Sequence, residues 1–383
     1  MLGRTLTWFD GTVEEPLNRE PPPEVLIGRF ISKEGEAYDR NHGPIPHIDA
    51  SEHLLHIDGS VSTPLSLPIH YLRTLPQHTV LAALQCAGNR RHTMRTKEKE
   101  VWGIDWHNGA VMNASWTGVL LSTILSLACP TIDPSTSHVA FSCYQTATQD
   151  DGYYGGSIPL SRALDPKMEV LIALKMNDRD LTPERGYPVR MIIPGVAGAR
   201  AVKWLDRITI QKQESSNAYQ QKDYKILPPE VVTKDQAAAY WHKLPSILET
   251  PINSVICSPS PGAEIDDPRI TPLKISGYAL PQGCDGPITK VELSHDDGVT
   301  WEPATLLPEP TKWSWALWEF KYSGPLTEDT TFMCKATDKG GNTQTIKPGE
   351  GQWNLRGVGY NAFGEVAGLK VKPRSLPGIE ARL

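Results

Sequence analysis

Residues 78–91 constrain this chain more than any other stretch. The run His78-Thr79-Val80-Leu81-Ala82-Ala83 has the apolar character of a buried strand and leads directly into Leu84-Gln85-Cys86-Ala87-Gly88-Asn89-Arg90-Arg91. A strand ending in Cys-Ala-Gly-Asn is expected to break at Gly88-Asn89, where positive φ is tolerated. The thiol of Cys86 then sits at a strand end, with guanidinium groups four and five residues behind it. Cations beside a thiol favour the thiolate, the form that attacks or binds a soft metal. Two guanidinium groups also make a planar, permanently charged cradle for an oxyanion. A soft ligand and an anion holder in one turn point to a metal centre that handles a small oxyanion. The same spacing also fits a core Cys followed by surface Arg residues.

A chain of 383 residues is too long for one ordinary core and implies two domains. With 39% hydrophobic and 21% charged residues it fits a folded globular protein. The net charge of −6 gives no basic field to gather phosphates, so nucleic acid is excluded as a partner and any anion site must be local. The six Cys (86, 129, 143, 257, 284, 334) are widely spaced with no CxxC pair. That argues against a zinc site or a disulfide framework and fits a reducing compartment. The first ten residues lack the apolar core of a secretory signal. No stretch reaches the ~18 uninterrupted apolar residues of a membrane span, so no membrane partner is expected.

Taken in order, residues 1–25 are rich in Pro and Glu and read as an extended surface arm. The segment Tyr38-Asp39-Arg40-Asn41-His42-Gly43-Pro44 is a loop able to grip an anion or a cofactor, or else a solvated polar loop. Trp116, Val119, Leu120, Ile124 and Leu127 recur at helical spacing, predicting an amphipathic helix over 116–127 stopped by Pro130. Trp102, Trp106 and Trp116 read as core aromatics. A polar segment ends in Tyr153-Tyr154-Gly155-Gly156, where flanking Gly can free a Tyr to face a cleft. The stretch from Arg185 to Lys203 predicts a strand over Val189–Ile193, then a Gly-rich turn with Arg190, Arg200 and Lys203 placed around an anion. Residues 228–250 form a linker containing one helical piece, Lys234–His242. From Pro251 short alternating strands and turns such as Asp297-Gly298 predict an immunoglobulin-like β-sandwich.

The run LQCAGNRR resembles the molybdenum-ligating segment of the sulfite oxidase family, which includes the molybdenum domain of assimilatory nitrate reductases. Further segments match the family in its order: Arg40-Asn41-His42-Gly43-Pro44, Asp105-Trp106, Tyr154 to Leu160, Gly186 to Arg190, Pro194 to Leu205 and Trp353 to Val358. Together they span roughly residues 25 to 360. The resemblance implies an α+β molybdopterin-binding domain (a mixed sheet with helices) over residues 1–248, then an all-β immunoglobulin-like dimerisation domain over 249–372 that makes a homodimer. It implies Cys86 as metal ligand, with Arg40, Arg91, Tyr154, Arg356 and Trp106 in the catalytic pocket. It implies pterin contacts from Tyr38, Asn41, His42, Cys143, Arg185, Arg190, Ala201, Val202 and Lys203. One departure stands out, since the family commonly has His where this chain has Arg185.

The function so implied is oxidation of sulfite to sulfate at a Cys86-ligated molybdenum cofactor. No paired His of a b-type haem domain and no Rossmann glycine fingerprint is present, so no haem is expected and dioxygen, giving hydrogen peroxide, is the expected acceptor. Arg356 favours sulfite over nitrate, because a doubly charged product needs more positive charge. Residues 373–383 read as a free tail whose final Ala381-Arg382-Leu383 resembles a peroxisomal address, implying an import receptor as partner, with cytoplasm as the fallback location. A nitrate-reducing or other oxyanion molybdoenzyme, and a non-enzymatic β-sandwich binding protein, are the competing readings.

Overall fold

The computed structural model describes residues 6–7, 16–327 and 329–372. The expected arm lies only partly within this range, and the tail at 373–383 lies outside it. Residues 17–20 of the arm are not a surface feature. The strand Asn18–Glu20 pairs antiparallel with Asp39–Arg40, and Leu17, Asn18 and Glu20 are buried. Asn18 Oδ1 accepts hydrogen bonds from Arg40 (3.1 Å) and from the Asn41 amide (3.0 Å), so the arm braces the polar loop.

Two five-stranded sheets form the first domain. In one, the order is Arg179–Asp180, Leu171–Met176, Val111–Leu120 and His78–Gln85, with Arg190–Ile192 also pairing on Leu171–Met176, all antiparallel. In the other, the order is Leu65–Pro68, Leu54–Gly59, Arg207–Gln211, His138–Cys143 and Tyr154–Pro159, with one parallel pair. A shared core of Ile57, Phe141, Ile172, Met191 and Ile208 lies between them, closed by the helices Leu121–Ala128 and Leu160–Leu164. Among the described residues no helix is long and apolar enough to cross a membrane.

The period-two side-chain alternation of a strand puts Val80, Ala82 and Leu84 on one face of His78–Gln85, and Cys86 continues it. That face carries a second core with Trp106, Trp116 and Tyr38, away from the sheet–sheet core. The cysteine therefore emerges where the strand ends.

The helix predicted over 116–127 begins five residues late. Trp116–Leu120 belong to the strand Val111–Leu120, which is paired on both sides, with His78–Gln85 and with Leu171–Met176. A central strand with both ladders filled overrides a chance helical spacing of apolar residues. Gly118 marks the difference, since a Cβ there would lie 2.0 Å from the Ile172 carbonyl oxygen. The predicted positive φ at Gly88-Asn89 is displaced as well: Arg90 is the residue in the left-handed region, at φ 67°.

The second domain is two four-stranded antiparallel sheets around one core. One has the order Asn253–Ser258, Leu273–Leu280, Ala316–Tyr322, Thr305–Leu307, and the other Glu302–Pro303, Ile288–Ser294, Phe332–Asp338, Gly364–Val366. The alternation is interrupted where the register shifts between Ile288 and Lys290, leaving Thr289 and Lys290 both exposed. The Asp297-Gly298 turn has both residues at positive φ, 60° and 79°, as a tight turn of that type requires.

The two domains are joined at the strand that leads to Cys86. His78–Gln85 is an edge strand, and its Ala83 amide donates to the Trp313 carbonyl of the second domain at 2.8 Å. Arg90, 2% exposed, donates to Asn253 Oδ1 (2.7 Å) and to the carbonyls of Ala362 (2.6 Å) and Phe363 (2.8 Å). Each buried acceptor left unpaired costs about 1–3 kcal/mol. Arg90→Gln should therefore destabilise the protein by about 2–4 kcal/mol, seen as a lower urea midpoint, whereas Arg95→Gln on the partly exposed face should shift it by less than about 1 kcal/mol.

Candidate active site

Cys86 opens into a cleft bounded by three segments: the loop 38–43, the turn 184–204 and the residues Thr146, Thr148 and Tyr154. The sequence candidates lining it are Tyr38, Arg40, Asn41, His42, Cys86, Tyr154, Arg185, Arg190, Ala201 and Lys203. Five others stand outside the lining. Trp106 is fully buried behind Tyr38, with ring centroids 6.5 Å apart edge to face. Cys143 and Val202 are wholly buried in the sheet–sheet core, and burial pushes the Cys143 thiol up to about 12. Arg91 and Arg356 do not line the cleft but lie close enough for charge interactions with its groups, Arg91 with Cys86 and Arg356 with His42.

The orientations of the arginines follow from available carbonyls. Arg91 Nε donates to the carbonyls of Arg356 and Gly357 (both 3.1 Å), and Nη1 donates to Ile104 (2.7 Å). Gly88, Gly103 and Gly357 all pack on this side chain, with a Cβ at any of them falling 2.5–2.7 Å from it. Arg356 in turn pairs with the Asp223 carboxylate and lies 4.7 Å over the Trp102 ring. Arg200, expected beside the anion, is fully buried and turned inward to the carbonyls of Tyr219 (2.9 Å) and Ile247. Arg90 points into the second domain, so the two guanidinium groups do not form a single cradle.

Arg185 occupies the position of the departure noted above. Its guanidinium donates to the carbonyls of Tyr38 (2.6 Å), Glu34 (2.8 Å) and Ala37 (3.0 Å), and it pairs with the buried Asp39 at 3.0 Å. It sets the backbone of the loop that carries Tyr38, Arg40, Asn41 and His42. Arg190 braces the opposite wall through the carbonyls of Arg185 (2.9 Å) and Ala201 (3.1 Å), and burial lowers it to about 10. Lys203 donates to Asn41 Oδ1 and to the Glu184 carbonyl (2.9 Å).

A residue the sequence reading did not single out completes the cleft. Arg40 Nη2 lies 3.1 Å from His42 Nδ1, and a guanidinium only donates, so Nδ1 accepts and the ring proton is on Nε2. That proton is donated to the Tyr224 hydroxyl at 2.7 Å. Burial, then the cations Arg40, Arg356 and Lys203, hold His42 well below its ordinary range, which keeps it neutral and fixes this arrangement. The Tyr224 oxygen thus accepts, and its own proton has no acceptor among the described residues. Burial pushes this phenol up to about 12. Tyr154 differs, because its hydroxyl donates to the Ala199 carbonyl at 2.8 Å. Nothing local in Gln221-Lys222-Asp223-Tyr224 signals this role, since the segment reads as polar surface.

The cleft carries more positive than negative charge. Arg40, Arg185, Arg190 and Lys203 face it; among the described residues Glu184 is the one carboxylate in its lining, Asp39 is buried beneath, paired with Arg19 and Arg185, and Asp150 and Asp223 approach His42 from outside the lining. Burial first, and then the neighbouring guanidinium groups, bring Lys203 down to about 7, with Asp39 opposing. A soft sulfur donor beside this charge suits an anionic, metal-bearing ligand.

Two family models match the chain: the oxidoreductase molybdopterin binding domain over residues 42–219 and the Mo-co oxidoreductase dimerisation domain over 244–369. The chain is 40% identical to mitochondrial sulfite oxidase of Mus musculus over 92% of its own length and 64% of that protein, so it spans a little under two thirds of that relative. It is 37% identical to sulfite oxidase of Arabidopsis thaliana, covering 90% of each. Among solved structures it resembles the sulfane dehydrogenase SoxCD from Paracoccus pantotrophus, with a TM-score of 0.72 and 25% identity over 89% of this chain and 82% of that one.

The charge imbalance has a measurable consequence for the cofactor-free protein. Lys203 titrates near 7 when folded and at 10.5 in its ordinary state, so the unfolded chain holds more protons between those values and stability rises with pH across that window. Lys203→Met removes this contribution. The variant should melt about 2–4 °C higher than the parent at about pH 6 and converge with it at about pH 10, read by thermal denaturation without cofactor.

Proposed function

The chain belongs to the sulfite oxidase family, and from that premise we propose that it oxidises sulfite to sulfate at a Cys86-bound molybdenum cofactor in the cleft. The observation that carries the reading is a buried thiol facing a cleft whose cations outnumber its carboxylates, with Lys203 brought to about 7 partly by the other cations. A phosphate-bearing pterin returns the missing negative charge, and a thiolate is the donor that molybdenum as a soft metal centre takes. Tyr38, Asn41, His42, Arg185, Arg190, Ala201 and Lys203 would hold it, with Cys143 and Val202 packed behind them. When bound, the cofactor supplies two-electron chemistry in which sulfite and water become sulfate, two protons and two electrons. Dioxygen takes those electrons and protons to give hydrogen peroxide.

The residues of this chain bind, orient and move protons. Arg40 faces the cleft and draws in the dianion, while Arg91 sets the backbone at Arg356 and Gly357. Trp106 stiffens the wall behind Tyr38. Tyr224 presents an uncommitted hydroxyl to the substrate side, and Tyr154 stacks 5.3 Å from His42 to keep the imidazole in place. The second domain, an immunoglobulin-like sandwich in this reading, joins two copies into a homodimer.

Nitrate reduction is the second reading, and one observation favours keeping it. Arg356 is paired with Asp223, so it brings less net charge to the substrate than an unpaired guanidinium would. Comparing sulfite and nitrate turnover in the parent and in Arg356→Met separates the two. Sulfite oxidation should dominate in the parent, and the variant should raise the sulfite KM at least tenfold, about 1.4 kcal/mol of lost binding.

Cys86→Ser should abolish sulfite-dependent peroxide formation, with elemental analysis showing little molybdenum retained. Full turnover in that variant would end the proposal. Tyr224→Phe should lower kcat about 10²-fold while Tyr154→Phe changes it far less, because only the first removes a hydroxyl donor not already committed to a carbonyl.

A further inference from the structure

On the surface beyond the Cys86 turn, His92, Asp105 and His107 converge. One ligand atom from each lies within 4.8 Å of the other two. His92 Nδ1 is 3.0 Å from Asp105 Oδ2, and the two imidazole rings stack with centroids 4.1 Å apart. His92 stands in the first turn of the helix Arg91–Lys97, while the other two come from the loop before the strand Val111–Leu120.

The backbones bearing these groups are tied together. The His92 amide donates to the Trp106 carbonyl at 2.9 Å and the Arg90 amide to the His107 carbonyl at 2.7 Å. The His107 amide is held at 2.7 Å by the Glu20 carboxylate, which also accepts from Gly109 at 2.8 Å. The ligand set is therefore displayed from a rigid frame and needs only side-chain movement to close. The facing charged groups are Arg95, 2.7 Å from Asp105 Oδ1, and Glu20 and Glu100. Arg95 engages the carboxylate oxygen that does not face His92, the place of an outer partner that orients a ligating carboxylate.

We propose that His92, Asp105 and His107 form a binding site for a divalent transition cation of the zinc class, separate from the Cys86 cleft. Two imidazoles and one carboxylate, with room for water in the fourth position, are a nitrogen–oxygen set that zinc accepts. Tetrahedral bonding needs donor atoms about 3.3 Å apart, which small rotations of the exposed His107 and the half-buried His92 supply. The cation takes the place of the contact between His92 Nδ1 and Asp105 Oδ2, the imidazole proton then residing on Nε2, and protons compete with the cation for the imidazoles at low pH. Once bound, it staples the helix Arg91–Lys97 to the loop 105–107. The site does not depend on which oxyanion the cleft oxidises.

Titration calorimetry of the purified, cofactor-loaded protein with zinc chloride, after washing with a chelator, tests this. One saturable zinc ion per chain is expected, with a higher melting temperature on zinc addition. Both effects should weaken at least tenfold in His107→Ala and in Asp105→Asn. His107 is exposed, so its variant retains the fold, and circular dichroism checks this. Absence of saturable binding in the parent, or equal binding in both variants, overturns the site.

Discussion

Three consecutive side chains after Cys86 bind three different parts of the molecule, and the rest of the structure depends on that division. Asn89 donates to the Tyr278 hydroxyl at 2.8 Å and accepts from the Ala110 amide. Arg90 reaches Asn253, Ala362 and Phe363 in the second domain, and Arg91 holds the backbone at Arg356, Gly357 and Ile104. Burying two guanidinium groups is costly unless nearly every donor finds an acceptor. Here the acceptors are main-chain carbonyls from distant segments. The left-handed backbone at Arg90 is the local strain accepted for sending neighbouring side chains in opposite directions.

That clamp makes the second domain part of the active-site architecture. The strand that delivers Cys86 lies at a sheet edge, and Trp313 of the second domain covers it. Arg356 is placed near the Cys86 turn from the far end of the second domain, its carbonyl held by Arg91 and its guanidinium by Asp223. Domain packing and site geometry are therefore coupled through one turn, with no separate hinge needed.

Inside the cleft burial acts first and surplus positive charge second. Together they keep His42 neutral, and neutrality lets the ring accept from Arg40 on one side and donate to Tyr224 on the other. Burial, with the neighbouring guanidinium groups adding to it and Asp39 opposing, likewise brings Lys203 down to about 7. An anionic ligand restores both balances at once, which is why the cleft suits a phosphate-bearing cofactor and an oxyanion substrate together.

The chain's own pattern was enough to place Cys86 at the end of an apolar strand, since alternation over His78–Gln85 decides its face. Loops rich in Gly and Pro likewise marked the segments 38–44 and 185–203 that wall the cleft. The pattern could not say where long side chains go. Arg90, Arg91, Arg185 and Arg200 have similar local contexts, yet each is aimed by carbonyls many residues away. Nor could it show that Trp116–Leu120 would fill the centre of a sheet, because pairing on both sides comes from strands far apart in sequence. Tyr224 is the same lesson in one residue. Its neighbours are polar and unpatterned, and only the folded chain brings its hydroxyl to His42, 182 residues distant. Periodicity in the sequence determined which face an element buries; the tertiary structure alone decided which distant acceptors were within reach, because hydrogen-bond partners separated by tens of residues leave no local trace.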